Sequence, residues 1–590
     1  MYRPVLDAVS GSLALTALVA TLPLLTLFVL LGVLRMAAWK AALASLVVSM
    51  VVAVIAYTMP AGQAIMAGAE GAAFGFFPIL WIVINAIWLY NMTVVTGHFD
   101  VLRRSFAKVS DDQRIQAVII AFCFGALLEA LAGFGTPVAI TSVMLIALGF
   151  KPIKAAVVAL VANTAPVAFG ALAVPITTLA TVSGIPEHTL AQIVGRQTPL
   201  LGLFVPMALV FIIDKWRGVR QTLPATLTCG LAFAIAQFVT SNFLSTQLTD
   251  IVAALVGAAS VVLLLRVWRP AGSYVEAEEV STVTSSAGTS GGSRHGSPGS
   301  PAGGSGALVG GTMVGAAVGG SDHPIGQGTG TAEELAARDR GHHDSGSDVF
   351  KAYAPYLIII AVFSITQIPF IKAALAGPSF SFQWPGLDLQ TASGKASTIP
   401  TFKLNWLAAA GTLMVIAGLV TIPVIGISPA KAFRAYLDTY RQLFAAIVTV
   451  MAVLGLAYVM NASGQTASLG AWMAGAGAAF AILSPILGWL GVAVTGSDTS
   501  SNSLFGALQV SAANQTGLSP ALMAAANSSG GVLGKMISPQ NLAIAAAAVG
   551  MSGKEGDIFR KVIGWSLGFL AFMCVIVYLQ STAVLSWMLP

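Results

Sequence analysis

"ANSSGGVLGKMISPQNLA", residues Ala526–Ala543, sets three glycines, a proline and a lysine inside an apolar run long enough to cross a bilayer. In a helix interior Gly costs about 1 kcal/mol and Pro about 3 kcal/mol relative to Ala. Backbone groups freed at membrane depth have no water to bond, so an unwound chain there must line a protected polar cavity. A break leaves half-helix ends, and a half-helix N-terminus carries partial positive charge suited to an anion. A lysine at the bilayer centre costs about 2.5–3.5 kcal/mol on insertion scales. A neighbouring carboxylate or an anionic ligand offsets that cost. The alternative, a lysine snorkelling to the cytoplasmic interface, fits poorly with the 19 residues that separate Lys535 from Lys554.

The surrounding chain is written for lipid. Of 590 residues 56% are hydrophobic and only 9% charged, against about 25% charged in soluble domains. The expected fold is an all-α polytopic membrane protein. Its net charge of +6 comes from Lys and Arg gathered between apolar runs, where the positive-inside rule places them, so nucleic acid is not an expected partner. The first run, Ser10–Leu34, is too long for a signal-peptide core and reads as a span. Cytoplasmic placement of Arg35/Lys40, Arg103–Arg114, Lys151/Lys154, Lys215–Arg220, Arg266/Arg269, Lys431–Arg441 and Lys554–Lys561 gives about 12 transmembrane helices, with both termini outside. The first half covers 1–270 and the second 349–590. Between them, 271–348 turns to Gly, Ser and Thr, too poor in apolar area to order itself, and reads as a disordered cytoplasmic linker. Cys123, Cys229 and Cys574 are scattered and read as packing residues. Glu70, near the outer end of a span, reads as solvated.

Two segments depart from simple threading. "GALLEALAGFGTPVAITSVMLIALGF" lies between basic clusters both assigned inside, and its second arm, Pro137–Leu148, is about 18 Å long as helix. That is short of the roughly 30 Å core. A re-entrant hairpin over 114–151 fits, with its tip at Gly133–Pro137; a second, over 480–517 around "TGSDTSSNS", enters from the opposite side. A pair of ordinary short spans preserves the same sidedness and stays open. Each hairpin precedes a broken helix, 153–183 and 520–550. Asn163-Thr164, Gly170 and Pro175 repeat the spacing of Asn527-Ser528, Gly534 and Pro539, seven residues and then five. Matching offsets with reversed threading describe an inverted-topology repeat, the sequence pointer to a secondary transporter's midplane site.

The candidate site follows from these breaks. Lys535 and the half-helix ends suit a carboxylate. Gly133, Gly135 and Thr136 at one tip, Ser497, Thr499, Ser500 and Asn502 at the other, and Asn163, Thr164, Asn527, Ser528 and Ser529 at the breaks supply amide, hydroxyl and backbone partners. The same oxygens suit Na⁺ equally. Two acids stand in apolar surroundings, Glu129 and Asp498, and a carboxylate held from water that cycles between protonated and ionised forms couples transport to protons. Either is alternatively a fixed partner for Lys535, or, for Asp498, part of a helix N-cap cluster. "GGVLGK" lacks the phosphate-loop spacing and its Ser/Thr, which excludes an in-chain ATPase. All six histidines fall in loops or the linker, with no metal or cofactor motif, so an intramembrane enzyme is not expected. A passive anion channel or facilitator is the remaining rival class.

"LLEALAGFGTPVAI", "NTAPVAFGALAVPI", "TGSDTSSNSLFG" and "NSSGGVLGKMISPQN" resemble the lactate permease family over roughly 1–270 and 350–590. The resemblance implies a proton-coupled importer of L-lactate, D-lactate and glycolate in the bacterial inner membrane. It also implies paired hairpins and unwound helices around a midplane site, and a homodimer with an elevator-like movement. The Gly/Ser linker departs from the family pattern but lies outside its motifs.

Overall fold

Among the described residues, nine helices are long and apolar enough to cross a membrane, or ten if the bent pair Pro152–Ala162 and Val167–Ser183 forms one span. The computed structural model describes residues 2–274 and 344–590, apart from Arg35, Lys108, Asp111, Phe134, Ala271, Ser273, Gln367, 391–396 and 398–399. Most of the expected linker therefore lies outside the described residues. The count falls below twelve for identifiable reasons. Thr249–Leu264 and Ala410–Ile425 are apolar helices of only 16 residues each. Glu187–Val239 runs two crossings together, interrupted where Lys215 takes φ 52° beside Asp214. One feature is not helical: Phe380–Gln383 pairs antiparallel with Thr401–Leu404, Phe380 opposite Leu404, so "all-α" needs this small ribbon added.

The first hairpin rises through Gln113–Leu131, almost wholly buried within the protein. It turns at Gly133 (φ 53°) and Gly135 (φ 81°), left-handed positions that favour glycine, and returns as the 12-residue helix Thr136–Ala147. The second hairpin pairs Phe480–Thr495 with Asp498–Thr516 across Gly496-Ser497.

The stretch Ala526–Ala543 breaks later than its glycines suggest. Pro520–Gly534 is a continuous helix passing straight through Gly530-Gly531. These glycines form a packing face: a Cβ on Gly530 would lie 2.2 Å from the Pro485 carbonyl, and one on Gly534 2.3 Å from that of Trp489. Small residues let helix backbones meet this closely in a membrane protein. Regular helix ends only at Lys535–Ile537, a short 3₁₀ turn, and Ser538 is extended before Pro539–Ala548 begins. In the first copy, Ala171, Leu172 and Ala173 take φ of 45°, 57° and 60°. The first copy thus leaves regular helix earlier, after Ala162, than the second, which leaves it after Gly534.

One reading of a single residue needs correcting. Glu70 is fully buried, not solvated. Its helix, Ala61–Phe74, packs into Pro429–Ser463, and neither carboxyl oxygen has a hydrogen-bond partner. The cysteines are free packing residues, Cys123 and Cys229 with Sγ atoms 3.4 Å apart, both buried and unbridged. The thiols come from different helices that the sequence does not register against each other.

A buried polar group without a partner costs about 1–3 kcal/mol. Glu70→Leu is therefore expected to raise the melting temperature of the detergent-solubilised protein with transport unchanged. A lower melting temperature would reveal a partner for that carboxyl. Gly530→Ala, which drives a methyl into the facing backbone, is expected to lower the melting temperature, overpacking typically costing about 1–3 kcal/mol.

Candidate functional site

Lys535 sits where the second broken helix stops, so its side chain leaves the 3₁₀ turn for the protein interior rather than climbing to an interface. Its Nζ donates to Glu129 Oε1 at 2.6 Å, and both side chains are buried, 8% and 4% exposed. Snorkelling is ruled out by that burial. Glu129 lies near the end of the first hairpin's rising arm, against the left-handed turn of the other broken helix. A Cβ on Gly170 would come within 2.7 Å of Glu129 Oε1, so the glycine there makes room for the carboxylate. Glu129 Oε2 is buried and has no hydrogen-bond partner.

The pair borders a small cleft lined by Val138, Leu160, Asn163, Thr164, Lys535, Met536 and Asn541. Asn163 ends helix Pro152–Ala162, and its Oδ1 is buried and unpartnered. Thr164 reaches only the Leu160 carbonyl, at 3.4 Å. Asn541 was not among the sequence candidates. It opens the last half-helix, with its backbone N–H and its Nδ2 both donated to Ser538 Oγ. Its position two residues after Pro539, in the first turn of a predicted half-helix, was the signal available.

A second polar cluster surrounds Asp498. Ser497, not Asp498, caps its helix, accepting from the Ser500 N–H. The Asp498 carboxylate points inward instead, where Oδ2 accepts from Ser528 Oγ at 2.6 Å and from Asn502 Nδ2 at 3.3 Å. Asn527 donates to Asn502, and Gln509 donates to Asn527. Asn502 also donates to the Pro175 carbonyl, tying this hairpin to the first broken helix. Asp498 Oδ1 and Ser529 Oγ are buried without partners. Asp498 lies within electrostatic reach of both Lys535 and Glu129.

Of the predicted residues, the structure therefore joins Lys535, Glu129, Asn163 and Thr164 at one cleft, and Asp498, Asn502, Asn527 and Ser528 in one network. Ser529 is buried beside them in sequence. Gly133 and Gly135 shape the first tip; a Cβ on Gly135 would meet Ile544 and Asn541. Thr136 and Thr499 are half-buried, with no side-chain bond in either cluster. Ser497 and Ser500 serve the cap.

The family profile described as L-lactate permease matches residues 16–295 and 326–584. The chain belongs to the lactate permease family. It is 39% identical to the L-lactate permease of Bacillus subtilis (strain 168), over 100% of this chain and 99% of that one. It is 40% identical to the glycolate permease of Escherichia coli (strain K12), over 98% and 97%, and 38% identical to the L-lactate permease of the same organism, over 98% of each. Among solved structures, Neisseria gonorrhoeae MtrF aligns with a TM-score of 0.45 at 12% identity, covering 88% of this chain and 83% of its own. The chain is a multi-pass membrane transporter, not an enzyme.

Breaking a buried ion pair by removing one partner typically costs about 3–5 kcal/mol, because the other charge stays behind. Lys535→Ala should therefore destabilise the protein strongly. Lys535→Ala with Glu129→Ala should recover much of the loss without recovering transport. A thermal-shift double-mutant cycle checks this, and additive losses would mean that the two side chains do not interact.

Proposed function

We propose that the chain imports L-lactate and related 2-hydroxymonocarboxylates, D-lactate and glycolate among them, by proton symport across the bacterial inner membrane. The observation that supports this most directly is the buried Lys535–Glu129 pair at the edge of the cleft. Lys535 has one strong anionic partner. A substrate carboxylate that claims the same ammonium must displace Glu129, and a displaced, unpaired carboxylate at that depth is costly unless it takes a proton. One proton then enters with one anion, and the net charge of the site stays constant. Asn163, Thr164 and Asn541 stand where the 2-hydroxyl of such a substrate needs partners. The names of the lactate and glycolate permease relatives support the substrate class.

In this reading the two halves are inverted repeats, with re-entrant hairpins and broken helices meeting at the membrane midplane. Asp498 is the second candidate proton carrier, and a homodimer provides the frame for an elevator-like movement. The second reading is sodium coupling at the Asp498 network, supported by the unpartnered Asp498 Oδ1 and Ser529 Oγ near Asn502 and Asn527. Labelled L-lactate uptake into proteoliposomes, under a proton gradient or a sodium gradient alone, separates the two.

Glu129→Gln keeps the shape and frees Lys535. It is expected to keep lactate–lactate exchange, to lose accumulation driven by a proton gradient, and to flatten the pH dependence of uptake. In the wild type, uptake falls as pH rises because the displaced carboxylate finds fewer protons. A Glu129→Gln protein that still accumulates lactate on a proton gradient would move the coupling role to Asp498.

A further inference from the structure

Asp250 enters none of the roles above. It is the second residue of helix Thr249–Leu264 and is fully buried. Its Oδ1 accepts from Gln237 Nε2 at 2.8 Å, and Gln237 in turn accepts from Thr198 Oγ1 at 3.3 Å. Its Oδ2 is buried with no partner. Among the described residues no cation bonds to it; Glu129 is the titratable acid within electrostatic reach, and on the neighbouring helix Glu187–Val239 the charged Arg196 and Glu187 bond Asn242 and Gln247 rather than Asp250.

The helix register brings these two acids level. Thr249–Leu264 packs against Gly125–Leu131 and the π-helical segment Val118–Phe124 before it. Cys123 Sγ lies 3.6 Å from where a Cβ on Gly257 would stand. Glu129 is six residues beyond Cys123 and Asp250 seven before Gly257. At 1.5 Å rise per residue, in antiparallel helices, the two residues stand about 9 and about 10.5 Å along the axes from that contact, in the same direction. Between the elements that carry them, Thr178 Oγ1 is a further fully buried, unpartnered group, on the helix Gly170–Ser183, which packs against both. Around the start of the Asp250 helix, Ser241, Asn242, Ser245, Thr246 and Thr249 are a cluster of buried polar residues, Asn242 accepting from Arg196. Arg266 and Arg269, at the far end of that helix, set its N-terminus on the outer side by the positive-inside rule.

We propose that Asp250 is a proton-relay residue, passing protons between the outer polar cluster and the unpartnered oxygen of Glu129. The relay rests on the proton-symport reading. The proton leaves the Asp250 carboxylic acid, crosses by way of a hydroxyl such as Thr178 or water, and joins Glu129 as the substrate takes Lys535. Asp250, left as carboxylate with Gln237 donating to it, is reprotonated from outside. Apart from proton positions no bond changes, so the step balances without an oxidant or a co-reactant.

The test uses the full chain in proteoliposomes, with accumulation of labelled L-lactate under an inward proton gradient measured beside lactate–lactate exchange at equal pH. Asp250→Asn is expected to slow accumulation by about a hundredfold, the lower end for losing a positioned acid–base group, with exchange nearly unchanged. Asp250→Glu should restore accumulation. Asp250→Asn accumulating like the wild type overturns the relay, and so does equal loss of both activities in folded protein, which marks a structural role. If Asp250→Asn does not fold, Gln237→Leu decides: it removes the donor to the carboxylate, and a pH profile of uptake unchanged from wild type overturns the proposal. A wild type that exchanges lactate but accumulates it only on sodium removes the symport reading, and the relay with it.

Discussion

A lysine and a glutamate 406 positions apart meet at 2.6 Å in the protein interior, and neither is tenable there alone. Desolvating either charge costs several kcal/mol, recovered only through close pairing and hydrogen bonds. The rest of the centre is arranged to permit the contact. The first hairpin carries the acid inward on an almost wholly buried arm, the second broken helix stops so that the base can turn toward it, and Gly170 leaves space where any side chain would collide with the carboxylate. Because the acid belongs to the first half and the base to the second, the pair also ties the halves together. A contact that couples structure to charge in this way is suited to exchange partners during transport.

The backbone beside it is strained. Ala171, Leu172 and Ala173 are left-handed in succession, a conformation costing roughly 1–2 kcal/mol per residue for L-amino acids. Such strain persists only where the surroundings over-determine it, and it collects at functional sites. Here the turn lies against the Glu129 carboxylate: the Gly133 and Gly170 positions place Ala171 and Glu129 in one tight cluster.

Much of this was legible in the sequence because lipid leaves few solutions. Apolar length, the basic clusters and the misplaced Gly, Pro and Lys pointed to a membrane transporter with interrupted helices, and the GFGT and GSDT tips fall where turns form. Lys535 and Glu129 stood out as charges without an excuse. What the sequence did not yield was partnership. The Lys535–Glu129 and Cys123–Cys229 contacts depend on helix registers set by packing. Glu70 was read as solvated because it sits near the end of an apolar run, yet it folds inside. Gly530 and Gly531 were read as helix breakers by propensity, but close packing on Phe480–Thr495 outweighs that penalty. The left-handed turn has no sequence signal, since Ala and Leu are poor residues for it.

The central claim is that a substrate carboxylate takes Lys535 from Glu129 and that Glu129 then takes a proton. Calorimetric titration of purified protein with L-lactate, repeated in buffers of different ionisation enthalpy, counts protons bound per lactate. The account predicts uptake of about one proton per lactate near neutral pH in the wild type and none in Glu129→Gln. Lactate binding with no proton uptake in the wild type, or with the same uptake in both proteins, would contradict it.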